Sequence, residues 1–179
     1  MKKALLIIAI IAILSGCGTN ETLTCTTSNT VDNLTSNTTY MIEYKGNDVK
    51  MLTVTYDYSD DHVDGVGTGT DGTTEDDDTD TDGIVDGVVG EALDDVVTGV
   101  TNGILDIAGI KTRHNEMFGD YTNTEGFMTD IDLDNDTDYR VTYTYDLTKL
   151  SDEDITTFGI DKDINTLRTT YTNRGLTCK

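Results

Sequence analysis

The sequence predicts an α+β domain: an antiparallel sheet of about four to five strands, packed by two to three helices, with a disordered acidic insertion. Three observations carry this. Apolar residues alternate with polar ones in separate blocks near both ends of the chain, most clearly Tyr139, Val141, Tyr143, Tyr145 and Leu147. Short blocks with helical spacing follow capping signatures late in the chain. From Asp57 to Gly83 the sequence is rich in Asp, Gly and Thr and almost without large apolar residues, so it cannot bury enough surface to order itself.

The chain opens MKKALLIIAIIAILSGC. Lys2 and Lys3 form a positive n-region, and Ala4–Leu14 an apolar run too short to span a bilayer by itself. Small residues then precede Cys17. This stretch resembles the lipobox of bacterial lipoproteins, in which the cysteine thiol receives a diacylglyceryl group and becomes the mature N-terminus. The alternatives are an ordinary secretory signal or a buried helix with a chance cysteine. Residues 1–16 are thus expected to be a signal peptide, and residues 17–22 a lipidated N-terminus with a short tether. Residues 23–179 form a single domain, interrupted by the acidic loop 57–83.

ETLTCTTSNT (21–30) reads as a first strand and VDNLTSN as a polar turn region. In 38–60, Tyr40, Ile42 and Tyr44 share one face before a Gly46-Asn47 turn. Val49, Met51, Leu52, Val54 and Tyr56 follow with one phase slip, which predicts a bulge near Met51. In 84–110, Val85, Val88, Val89, Ala92, Val96, Val100, Ile104 and Ile107 recur at helical spacing. Gly87, Gly90, Gly99 and Gly103 each cost about 1 kcal/mol there relative to Ala, so this helix needs packing to form. KTRHNEMF (111–118) continues or ends the helical region. EGFMTDIDLDN opens a second hairpin that turns at Asn135-Asp136-Thr137. Ser151 and Asp154 make a capping box. Ile164, Leu167 and Tyr171 share a helix side that Gly175 stops, and LTCK returns Cys178 toward the first strand.

The formal net charge is −22, and loss of Lys2 and Lys3 makes it more negative still. Such a surface repels nucleic acid and anionic headgroups and permits solubility, divalent-cation binding or attraction to cationic ligands. Of the three cysteines, lipidation consumes Cys17. Cys25 and Cys178 remain, in an exported chain where disulfides persist. A bridge between them closes a loop of about 150 residues, a stabilisation of roughly 5 kcal/mol if entropic. Two separate thiols are the alternative.

The LSGC lipobox, LTCT, GIKTRHNEMF, EGFMTDIDLDNDTDYRVTYTYDLTKL and RGLTCK together resemble uncharacterised lipoproteins of Gram-positive bacteria, distantly similar to the YehR-type lipoprotein family. The resemblance implies a small α+β domain with an antiparallel sheet packed by helices. It implies no catalytic residue. The long acidic segment departs from the shorter YehR-type pattern.

DTDTDGIVDG (78–87) is the most specific site-like string. Asp78, Asp80, Asp82 and Gly83 match positions 1, 3, 5 and 6 of an EF-hand-type loop, and Asp86 suits position 9. Position 12 is Val89 rather than a bidentate acid, so calcium held there would be weak. Asp130, Asp132, Asp134, Asp136 and Asp138 alternate along the second hairpin and read as a solvated face and turn. The two histidines, His62 and His114, come without a zinc motif, a nucleophile elbow or a phosphate-binding loop. His114 and Glu116 read as a helix-end pair.

The expected function is a non-enzymatic, lipid-anchored domain on the extracytoplasmic face of a bacterial membrane, monomeric, binding a protein, peptide or envelope component and no nucleic acid. A calcium-binding surface lipoprotein using Asp78, Asp80, Asp82 and Asp86 is the alternative. A hydrolase built around His114 is the third reading. No cofactor is expected beyond weakly held calcium.

Overall fold

A computed structural model of the protein describes residues 20–31, 33–61 and 106–179. In chain order its elements are β1 (Glu21–Val31), β2 (Leu34–Lys45), β3 (Asp48–Asp60), α1 (Ile107–Phe118), a 3₁₀ turn (Gly119–Tyr121), β4 (Phe127–Asp134), β5 (Asp138–Asp146), α2 (Asp152–Thr157), α3 (Ile164–Asn173) and β6 (Thr177–Cys178). The strands form one six-stranded sheet in the order β4-β5-β3-β2-β1-β6, antiparallel at every pairing. Three helices accompany it among the described residues. The architecture is α+β with more strands than the sequence predicts. The sixth is the two-residue β6, made from the LTCK return and too short to show a period.

One sheet face holds the core. Tyr40 on β2, Val54 on β3 and Tyr143 on β5 lie in register, and all are buried. Tyr171 of α3 stacks on Tyr40 with ring centroids 4.4 Å apart. Phe158, at the end of α2, meets Phe127 and Tyr145 at 5.3 and 5.0 Å. Phe118 of α1 meets Tyr143 at 4.1 Å. Large side chains buried this way contribute roughly 1.5–3 kcal/mol each, and the tilted and edge-on ring geometries add to that. The strict alternation of Tyr139 to Tyr145 puts every one of these residues into the core, as the pattern predicts.

The opposite face is polar and in phase with the first. Thr26, Thr39, Thr55, Thr142 and Asp130 follow one another across five strands. Thr24, Met41, Thr53, Thr144 and Met128 make the neighbouring rank. Threonine suits such a surface because its branched side chain packs on a pleat while the hydroxyl stays wet.

The hairpin β2–β3 turns at Gly46, where φ is +63°. Its register slips between Glu43 and Tyr44, which pair with Met51 and Val49. The extra residue, Lys50, is the bulge expected near Met51. The hairpin β4–β5 turns at Asn135–Thr137, held by Asn135 Oδ1, which accepts from the backbone N–H groups of Thr137 and Asp138. Ser151 and Asp154 cap α2 reciprocally.

Three expectations need correction. The polar turn region expected over 31–37 is strand from Leu34 onward, and Leu34, Ser36 and Thr38 already point into the core. Inward Ser and Thr hide a strand from a hydrophobicity pattern. Residues 57–60 belong to β3 and not to the acidic loop. Tyr58 continues the inward phase of Tyr56, and Asp57 pairs with Arg140 at 2.6 Å across the sheet. The helix over KTRHNEMF does not simply continue from residue 84. It starts at Ile107, after Asp106 in extended conformation, whose side chain accepts from the Gly109 N–H at 2.7 Å. Residues 84–105, and the rest of the expected acidic loop from 62, lie outside the described residues.

Candidate functional site

Several of the residues singled out in the sequence, Cys17 and the calcium-loop candidates Asp78, Asp80, Asp82 and Asp86, lie outside the described residues. The structure joins the remaining pair. Cys25 on β1 and Cys178 on β6 are cross-strand partners and form a disulfide that links positions 153 residues apart. Two backbone bonds between Thr24 and Lys179, 3.1 and 2.9 Å, extend the same clasp. Leu176 is buried just before it, and Gly175, with φ +84°, lets α3 end and the chain turn back to β1. The clasp therefore ties the last residues of the chain to the first strand.

His114 departs from its expected place. It does not pair with Glu116, which sits 3.6 Å from Arg113 instead. Its ring is buried between α1 and the sheet, Nε2 3.0 Å from the Tyr58 hydroxyl and Nδ1 3.1 Å from the Tyr143 hydroxyl. Neutral imidazole suits this position, one nitrogen donating and the other accepting. Burial without a nearby acid pushes its pKa down to about 3. With both nitrogens engaged and no exposed edge, His114 is a packed core group and not a base held ready for a substrate. The spacing already carried this information. Ile107, Ile110, His114 and Phe118 form one helical stripe, and all four are buried.

The acidic hairpin is the other candidate. Among the described residues, β4 lies at the edge of the sheet, beside β5 alone. Asp130 and Asp132 are exposed, and a register shift between Ile131 and Leu133 leaves Asp132 unpaired as a bulge. Lys111 of α1 holds the turn end of the hairpin, 2.5 Å from the Asp134 carboxylate and 2.9 Å from the Asn135 carbonyl. Asp130 lies opposite Thr142 on the threonine-lined face, whereas the slip at Asp132 puts Asp134 opposite Tyr139 on the other face, so the carboxylates do not share one point. Among the described residues no group of three His, Cys, Asp or Glu side chains is arranged to hold a metal ion. Met128 and Ile131, 60% and 50% exposed, interrupt the acids with apolar surface.

At the foot of the same hairpin, Asp146 ends β5 and accepts from Lys149 Nζ at 2.7 Å, from the Thr148 hydroxyl at 2.5 Å and from the Thr148 N–H at 3.1 Å. These bonds, Lys149 first, hold its carboxyl below the usual carboxylate range. Gly126, with φ +89°, lies against this turn, and a Cβ there would meet the Leu150 nitrogen at 2.9 Å. Only glycine fits where β4 begins.

No protein-family model and no curated protein matches the chain. Among solved structures it is similar to a protein of Streptococcus pneumoniae determined by NMR, with 13% identity and a TM-score of 0.49, over 100% of this chain and 96% of that one.

Proposed function

We propose that this chain is a lipid-anchored extracytoplasmic lipoprotein that binds a protein, peptide or envelope component and performs no covalent chemistry of its own. The observation that carries the reading is the Cys25–Cys178 disulfide. Structural disulfides belong to oxidising compartments, and an exported chain with three cysteines has one left over. That one is Cys17, behind a lysine-tipped apolar run. Diacylation there would hold the protein firmly, because each buried CH₂ contributes about 0.8 kcal/mol.

The geometry fits an anchored module. Residues 18–20 alone separate Cys17 from β1, a reach of roughly 10 Å when extended. The sheet thus stands close to the membrane plane, and its negative charge keeps it from adhering to anionic headgroups. The histidine among the described residues is spent on packing, which favours a binding role over catalysis.

Fractionation of producing cells tests this. The wild-type chain is expected in the membrane fraction, open to protease added to cells stripped of their wall. The Cys17→Ala chain should lose its lipid-dependent partition into detergent. A wild-type chain found in the cytosol with reduced cysteines would overturn the reading.

A further inference from the structure

We propose that β4 is a docking edge for an extended peptide carrying basic residues at alternate positions, which adds to the sheet as a further strand beside Met128–Ile131. The inference deepens the binding role proposed above and rests on it.

The argument starts from the sheet order. β4 is the terminal strand, with β5 its one strand neighbour among the described residues. An edge strand presents backbone N–H and C=O groups outward, and these are a template for another chain. Phe127 to Ile131 pairs with β5 without interruption, so its outer side is a straight run until the slip at Asp132. Most of β4 is exposed. Two of the three large apolar side chains exposed among the described residues, Met128 and Ile131, lie in this run.

The two faces of the edge differ, and the difference selects the occupant. Ile131 is opposite Val141, on the helix-covered face. Met128 and Asp130 are opposite Thr144 and Thr142, on the threonine-lined face. An added strand would place alternate side chains beside Ile131 on one face and beside Met128 and Asp130 on the other. Asp130 forms no ion pair among the described residues, whereas Asp132 lies in the field of Arg140 and Asp134 is matched by Lys111. A cationic side chain on the threonine-lined face meets an unmatched carboxylate, and an apolar one on the other face covers Ile131. A second copy of this chain meets the opposite situation. Its own Asp130 and Asp132 would face the same acids, and the bulge would break the register. The bulge and the like charges thus guard the edge against self-association while leaving it attractive to a strand of the other sign.

The probe is a blocked decapeptide of alternating lysine and valine, titrated into the full chain in neutral detergent micelles. Its controls are the alternating glutamate–valine peptide and a lysine–valine peptide N-methylated at alternate residues. The expected result is saturable binding of the first, with slowed amide exchange at Met128–Ile131. Affinity should fall about tenfold or more on N-methylation, and by a similar factor in Asp130→Lys/Asp132→Lys. Both aspartates are exposed, and an unchanged thermal melt of that variant shows that the fold is kept. Equal binding of the N-methylated peptide, or undiminished binding by the variant, would overturn the docking edge by placing the attraction elsewhere on the acidic chain. That outcome would leave the anchored binding module standing. Absence of binding would overturn the docking edge as well, and the anchor is read independently from the lipid on Cys17.

Discussion

His114 is held as a neutral ring by two tyrosine hydroxyls, and this makes the fold sensitive to acid at a defined residue. In the folded chain its pKa is lowered to about 3, against 6.5 for an ordinary histidine. Between those values the unfolded chain binds a proton that the folded chain refuses. The stability from this group is therefore complete above about pH 6.5 and is lost as the pH falls toward 3, a span on the order of 5 kcal/mol. His114→Gln keeps a donor and an acceptor but does not titrate. Urea midpoints measured from pH 7 to pH 4 should fall more gently for this variant than for the wild type; parallel curves would contradict the assignment. A second residue-scale contrast concerns the tyrosines. The hydroxyls of Tyr40 and Tyr56 influence each other's ionisation, yet neither has a partner at hydrogen-bonding geometry. Tyr56→Phe removes an unsatisfied buried group and should be neutral or stabilising. Tyr143→Phe strips the partner of His114 Nδ1 and should cost about 1–3 kcal/mol. Denaturant unfolding of the two variants checks the difference, and an equal loss in both would mean that Tyr40 and Tyr56 are bonded.

At the scale of elements, β6 matters more than its two residues suggest. Thr177–Cys178 closes the sheet on β1, and the Cys25–Cys178 bridge makes that closure permanent. Reduction should lower stability by roughly 5 kcal/mol if the effect is chain entropy over a 153-residue separation. The Cys25→Ala/Cys178→Ala chain should show no further response to reductant, and a wild-type unfolding midpoint indifferent to reductant would contradict the clasp. How much of this is legible in the sequence follows from the kind of signal each element carries. β5 is plain because tyrosine and valine alternate with threonine and arginine without a break, and α2 because Ser151 and Asp154 complete a capping box. The N-terminal part of β2 is not plain, because its inward residues include Ser36 and Thr38. The end of β3 is hidden for a related reason. Asp57 and Asp60 make the composition look disordered, although Tyr58 is core and Asp57 has its cation on the neighbouring strand. The identity of that cation, Arg140, depends on a register that no local window contains. The proposed docking edge is legible only in part. The acids and Met128 are visible as residues, but their place at the sheet margin comes from strand order.

At the scale of the whole molecule, the parts divide the work between attachment, endurance and recognition. In the proposed reading, an apolar leader and Cys17 supply attachment. Among the described residues, one face of a six-stranded sheet is covered by three helices and clasped by a disulfide, which in the proposed reading gives endurance outside the cell. Among the described residues, the other face is half-buried and paved with threonine, and the β4 edge is exposed and margined by acid. The strongly negative charge keeps such a domain soluble and away from anionic surfaces, while cationic segments are drawn to it. The direct test of this account is the chemical state of Cys17. Cells producing the wild-type chain or Cys17→Ala are fed labelled palmitate, and the purified chains are then weighed intact. The account predicts label and added lipid mass on a wild-type chain that begins at Cys17, and neither on the variant. An unlabelled wild-type chain that retains residues 1–16 would contradict it.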